Sequence, residues 1–97
     1  MPTKLLKKND VRIIMPKLYQ VILLNDDYTT VEFVIEILKT VFKKSEEDAV
    51  AITFKVDREG KAIVGIYPYE IALMKVEKTK SLAKDAGFPL RVVMEEV

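Results

Sequence analysis

The run LYQVILL, residues 18–24, is apolar almost throughout and stops at Asn25-Asp26-Asp27. It is rich in β-formers and has the length of a strand. The three residues that end it carry short side chains that bond nearby backbone and favour turns and helix starts. A strand of this kind has to bury its apolar side against another layer. The rest of the chain supplies that layer in short, sharply punctuated segments.

Thr29-Thr30-Val31-Glu32 fits a capping box, with Thr29 as the cap and Glu32 reaching back. The predicted helix places Phe33, Val34, Ile37, Leu38, Val41 and Phe42 on one broad stripe. Ser45-Glu46-Glu47-Asp48 opens a second helix that turns Ala49, Ile52 and Val56 inward, and Gly60 is placed to stop it. Residues 61–67, KAIVGIY, read as a strand. Pro68 and Glu70 open a third helix to about Ala86, with Ile71, Ala72, Lys75, Thr79, Leu82 and Ala83 on its inner side. Gly87 and Pro89 end it, and a last strand over Leu90–Glu95 alternates Leu90, Val92 and Met94 with Arg91, Val93 and Glu95. The order β-α-α-β-α-β predicts an α+β two-layer sandwich, a three-stranded sheet covered on one side by three helices.

A chain of 97 residues is long enough for one modest core, and 49% hydrophobic with 32% charged residues suits a folded domain. The net charge of +1 gives no field towards nucleic acid or a membrane surface. With no Cys there are no disulfides, thiolate sites or thiol nucleophiles, and with no His the commonest metal ligand and general base is missing. No apolar run long enough to span a bilayer and no signal peptide stand out, so a cytoplasmic location is expected. Residues 1–17 carry Lys4, Lys7, Lys8, Arg12 and Lys17 against Asp10 alone, and read as a flexible basic extension ahead of a domain at 18–97. Val11, Ile13 and Ile14 could form a short edge strand within it.

Asn25, Asp26 and Asp27 are clustered at the mouth of the first helix. Helix capping accounts for such a cluster, since acidic residues suit the positive end of a helix dipole. A site for an ammonium group also accounts for it, each charge-assisted bond contributing about 1.5–3 kcal/mol. A hard metal would need six or more oxygen ligands, which the loop does not offer. Catalysis lacks a nucleophile, an oxyanion hole or a glycine-rich phosphate loop.

Three segments then carry a resemblance: LYQVILLNDDYTTVEFVIEIL at 18–38, REGKAIVGIYPYEIALMKVE at 58–77 and FPLRVVMEE at 88–96. Together they closely resemble the ClpS family, adaptors of the Clp AAA+ protease. The resemblance implies a fold similar to the C-terminal domain of the ribosomal stalk protein, no enzyme activity and no cofactor. It implies binding of proteins whose free first residue is large and hydrophobic (Leu, Phe, Tyr or Trp), and their delivery to a ClpA- or ClpC-type unfoldase through that enzyme's N-domain. A monomer is expected. Carried over by position, Asn25 and Asp26 bond the substrate's α-ammonium and first peptide group, and Asp27 shapes the loop. Thr29, Val31, Val34, Thr53, Val56 and Leu90 line a pocket for the first side chain. Glu70 and Lys75 dock on the unfoldase, and the basic extension engages it.

Three positions depart from the family pattern. Asp57 stands where a His usually bonds the α-amino group, and Val31 and Thr53 stand where the family has Met. Drift in a working pocket is the plain explanation. The alternative is a shifted function: Asp57 replaces the imidazole as acceptor, and the shorter Val31 admits first residues Ile and Val that Met excludes. Two other classes compete with the adaptor reading, a docking module of the same fold without a pocket and a small carboxylate enzyme.

Overall fold

The computed structural model describes residues 16–97. Residues 1–15, which include most of the basic extension and the edge strand considered at Val11, Ile13 and Ile14, lie outside the described residues. The elements are β1 (Leu18–Leu24), α1 (Val31–Thr40), α2 (Glu46–Glu59), β2 (Lys61–Pro68), α3 (Tyr69–Ala86) and β3 (Arg91–Glu96). The order and type of every element agree with the sequence reading. The sheet is antiparallel throughout, in the order β2-β1-β3.

The run LYQVILL is therefore the central strand, which explains its lack of alternation. On the helix-covered side Val21 and Leu23 are fully buried. On the open side Ile22 is only 5% exposed, because its register partners Ile63 and Val93 flank it. The core is completed by Ala62, Val64 and Val92 from the outer strands and by Val34, Ile37, Leu38, Ala49, Val56, Ala72, Val76 and Ala83 from the helices. Burial of this kind supplies most of the stability of a domain this small.

Three local expectations are corrected. The cap of α1 is Thr30, whose hydroxyl accepts the Phe33 N–H at 3.2 Å, and not Thr29. The chain turns one residue longer than the capping-box pattern implies because Asp26 claims the Thr29 hydroxyl first. On α3 the inner line is Ala72, Val76, Thr79 and Ala83, whereas Ile71 is 40% exposed and Lys75 and Leu82 are half-buried. The innermost side chains of this helix are small, and its larger apolar groups fall towards the edges. The last strand also starts one residue late, at Arg91, although Leu90 is buried as expected.

Ser45 caps α2 by accepting the Asp48 N–H at 3.1 Å. At the other end Gly60 has φ +88°, a left-handed conformation that costs glycine nothing and other residues strain. The chain reverses there and enters β2 without a loop. That reversal aims the Gly60 carbonyl at the Asn25 N–H, 2.9 Å away, so the end of α2 is tied to the loop that follows β1.

Candidate functional site

The loop between β1 and α1 is built around one carboxylate. Asp26 Oδ1 accepts the Tyr28 N–H at 2.8 Å and the Thr29 N–H at 2.7 Å, and Oδ2 accepts the Thr29 hydroxyl at 2.7 Å. Asp26 thus does the loop-shaping expected of Asp27. The Asp27 side chain is exposed and makes no hydrogen bond among the described residues. Two adjacent aspartates are chemically alike in sequence, and only the backbone turn decides which one faces inward. A carboxylate offers about four acceptor positions, and three bonds leave one of them open on Asp26.

Partial burial is the largest single influence on Asp26 and pushes its pKa up. The Thr29 and Tyr28 hydrogen bonds and the charge of Arg91 together outweigh it, so the group sits below its ordinary value of 3.8. A carboxylate with a lowered folded pKa contributes stability above the unfolded value and loses it as pH falls through the folded one. Thermal melts of the wild type should therefore fall more steeply from about pH 5 to pH 3 than melts of Asp26→Asn, which has no charge to neutralise. Equal slopes would show that this carboxylate is not linked to folding.

The loop forms one wall of a cavity of about 270 Å³, with α1 and α2 as the others. Its rim carries Asn25, Asp26, Asp27, Asp57 and Val31, the last 45% exposed. Its floor is formed by the buried Val34, Thr53 and Val56, with Thr29 beside them. A smaller recess behind Asn25, Asp26 and Val34 reaches Leu24 and Leu90. Leu90 is brought there by the turn after α3, where Phe88 packs on Phe33 at a ring-centroid distance of 5.0 Å. Every residue lining the 270 Å³ cavity was expected at the site from sequence, and Leu90 adjoins it.

The sequence reading did not single out Arg91. Its guanidinium lies near the Asn25 carbonyl, at 3.5 Å, and its charge acts on Asp26. The outward-facing position next to Leu90 was its only signal. The Gly60 carbonyl that holds Asn25 was also missed, because a backbone acceptor leaves no mark on residue type.

Glu70 and Lys75 lie apart from the cavity, on α3. Glu70 is exposed in the first turn. The Lys75 ammonium donates to the Val41 carbonyl at 2.8 Å, at the C-terminal end of α1, and sits 5.3 Å and 5.8 Å from the Tyr67 and Phe42 ring centroids. It therefore clamps α3 to α1 and favours the negative end of that helix. Beside it Val41, Met74 and Leu82 line a second recess of about 490 Å³ rimmed by Lys43, Lys75 and Lys78. A third, of about 280 Å³, lies on the open sheet face with charges of both signs. The second recess has no carboxylate in its lining, and in the third Glu59 and Glu95 are matched by Lys55 and Lys61.

Among the described residues no three acidic or other ligating side chains are grouped to hold a metal, and no helix is long and apolar enough to cross a membrane.

The family model described as ATP-dependent Clp protease adaptor protein ClpS matches residues 15–93. The ATP-dependent Clp protease adapter protein ClpS of Nautilia profundicola is 72% identical over 97 residues, covering 100% of both chains. The protein of the same name from Clostridium acetobutylicum is 53% identical over 90 residues, 93% of this chain and 89% of that one. Among solved structures, Agrobacterium tumefaciens ClpS2 bound to L-phenylalaninamide superposes with a TM-score of 0.83 at 43% identity, covering 86% of this chain and 100% of the other.

Proposed function

This chain belongs to the ClpS family of ATP-dependent Clp protease adaptors, proteins that bind rather than catalyse, and from that premise we propose that its cleft holds the free, hydrophobic first residue of a protein bound for a Clp AAA+ unfoldase. The observation that carries the reading is the pairing of an acceptor-rich rim with a recessed apolar floor in one cavity. At about 270 Å³ the cavity is just below the roughly 300–1,000 Å³ of sites for drug-sized ligands, a scale suited to one side chain. L-phenylalaninamide, the ligand of the Agrobacterium structure, is such a residue in miniature: a free amine, an apolar side chain and an amide in place of the next peptide bond.

In this reading Asn25, Asp57 and the open position of Asp26 accept from the α-ammonium and the first peptide group. Val34, Thr53, Val56, Thr29 and the nearby Leu90 receive the side chain. Asp27 adds charge at the rim. Burying a Leu- or Phe-sized side chain contributes about 1.5–3 kcal/mol. With two or three charge-assisted bonds, less the cost of association, a dissociation constant on the order of micromolar is expected. The α3 surface with Glu70, Lys75 and the adjoining Met74 would dock the N-domain of a ClpA- or ClpC-type unfoldase. Because the Lys75 ammonium already holds Val41, Glu70 is the freer of the two charges for that contact.

Fluorescence anisotropy with peptides that differ only in the first residue tests the assignment. Leu, Phe, Tyr and Trp should bind, while Gly and Asp should not. Val31 sits on the rim and is shorter than the Met of the family pattern, so Ile should bind within about tenfold of Leu, since only steric rejection keeps a branched side chain out. Val31→Met should then weaken Ile more than Leu. Ile binding a hundredfold worse than Leu in the wild type would defeat the rim argument.

A further inference from the structure

We propose that the Thr53 hydroxyl oxygen is an acceptor on the cavity floor that favours first residues with a donor on the ring, Tyr and Trp, over Phe and Leu. The inference rests on reading the cavity as the first-residue pocket. Thr53 is 4% exposed, and its neighbours on the floor, Val34 and Val56, are wholly apolar. Its hydroxyl donates to the Ala49 carbonyl one turn back, at 2.8 Å. The proton is thereby committed, and the oxygen can serve the cavity only as an acceptor. A hydroxyl oxygen has two lone pairs, and no donor among the described residues uses either of them.

An acceptor in this position makes the floor selective. A Phe or Leu side chain would cover the oxygen with carbon and strip its hydration, leaving its acceptor lone pairs unmet. A phenol O–H or an indole N–H entering the same space supplies the missing partner, as buried Tyr and Trp groups generally require. The carboxylates cannot substitute, because they stand at the rim, where the amine is held. The oxygen therefore separates ligands that share a shape and differ by one donor.

Dissociation constants for matched peptides beginning with Tyr, Trp, Phe and Leu test this on the wild type, Thr53→Val and Thr53→Ser. The wild type should bind Tyr about three- to tenfold more tightly than Phe. Thr53→Val keeps the shape and removes the oxygen, so Phe and Leu should tighten and the Tyr preference should vanish. Thr53→Ser keeps the oxygen and should keep the preference. Equal wild-type affinities for Tyr and Phe, or a preference that survives in Thr53→Val, would overturn the assignment. An amine-blocked Tyr peptide that binds as well as its free twin would instead overturn the first-residue reading itself.

Discussion

Acetylating the α-amino group of a Leu-initiated peptide should weaken its binding at least about a hundredfold, because the charge-assisted bonds on the rim contribute about 1.5–3 kcal/mol each and all depend on the ammonium. An amide nitrogen carries one donor and no charge, and its acetyl group would have to fit against Asp26 and Asp57. The free amine has an ordinary pKa of about 7.7–8.0, so affinity should also fall as pH rises above 8. Below that it should stay level between about pH 7.5 and 6, since the chain contains no His to titrate there. Calorimetric titration of the paired peptides reads both effects. A docking module of the same fold without a pocket would bind the two peptides equally.

Asp26→Ala should abolish measurable peptide binding, a loss of about a hundredfold or more, and lower folding stability by about 1–2 kcal/mol. The substitution leaves the Tyr28 and Thr29 N–H groups and the Thr29 hydroxyl without their acceptor. Beyond Asn25, which the Gly60 carbonyl still holds, the loop then has no internal reason to keep its turn, and Asp27 loses its place. Asp26→Asn separates shape from charge. Its amide oxygen can still accept both N–H groups, so most of the stability should return, while ligand affinity recovers only in part. Denaturant unfolding and anisotropy on the two variants distinguish these effects. Full affinity in Asp26→Ala would show that the loop is held by something other than this carboxylate.

The parts of the fold visible in the sequence are those with unambiguous punctuation. β1 occupies the residues expected of it because Pro16 precedes it and Asn25 follows. Ser45, Gly60 and Gly87 mark helix ends through side-chain acceptors or positive φ that few other residues provide. The residues that line the cavity were legible as a set because the resemblance is carried by the NDDYT loop and the segment with Leu90, and the positions of α2 fall between them. Their division of labour was not. Thr29 and Thr30 compete for one cap, and the winner depends on a hydrogen bond three residues upstream. Asp26 and Asp27 compete for one inward position. Lys75 falls on the inner side of α3 by spacing, but its partner is a carbonyl 34 residues earlier in the chain, which helical periodicity cannot identify. On α3 the pattern named Ile71 and Leu82 as core and missed Val76, because the expected stripe ran through Lys75, one residue before the row that is buried.

The Gly60–Asn25 contact bears on how cargo could leave. It fastens the α2 wall and the acceptor loop at a shared root. A mould set before its guest arrives gains affinity from that preorganisation but has no jaw to open. Cargo in such a seat departs by the route it came in, drawn out by competition or by traction on the chain behind it.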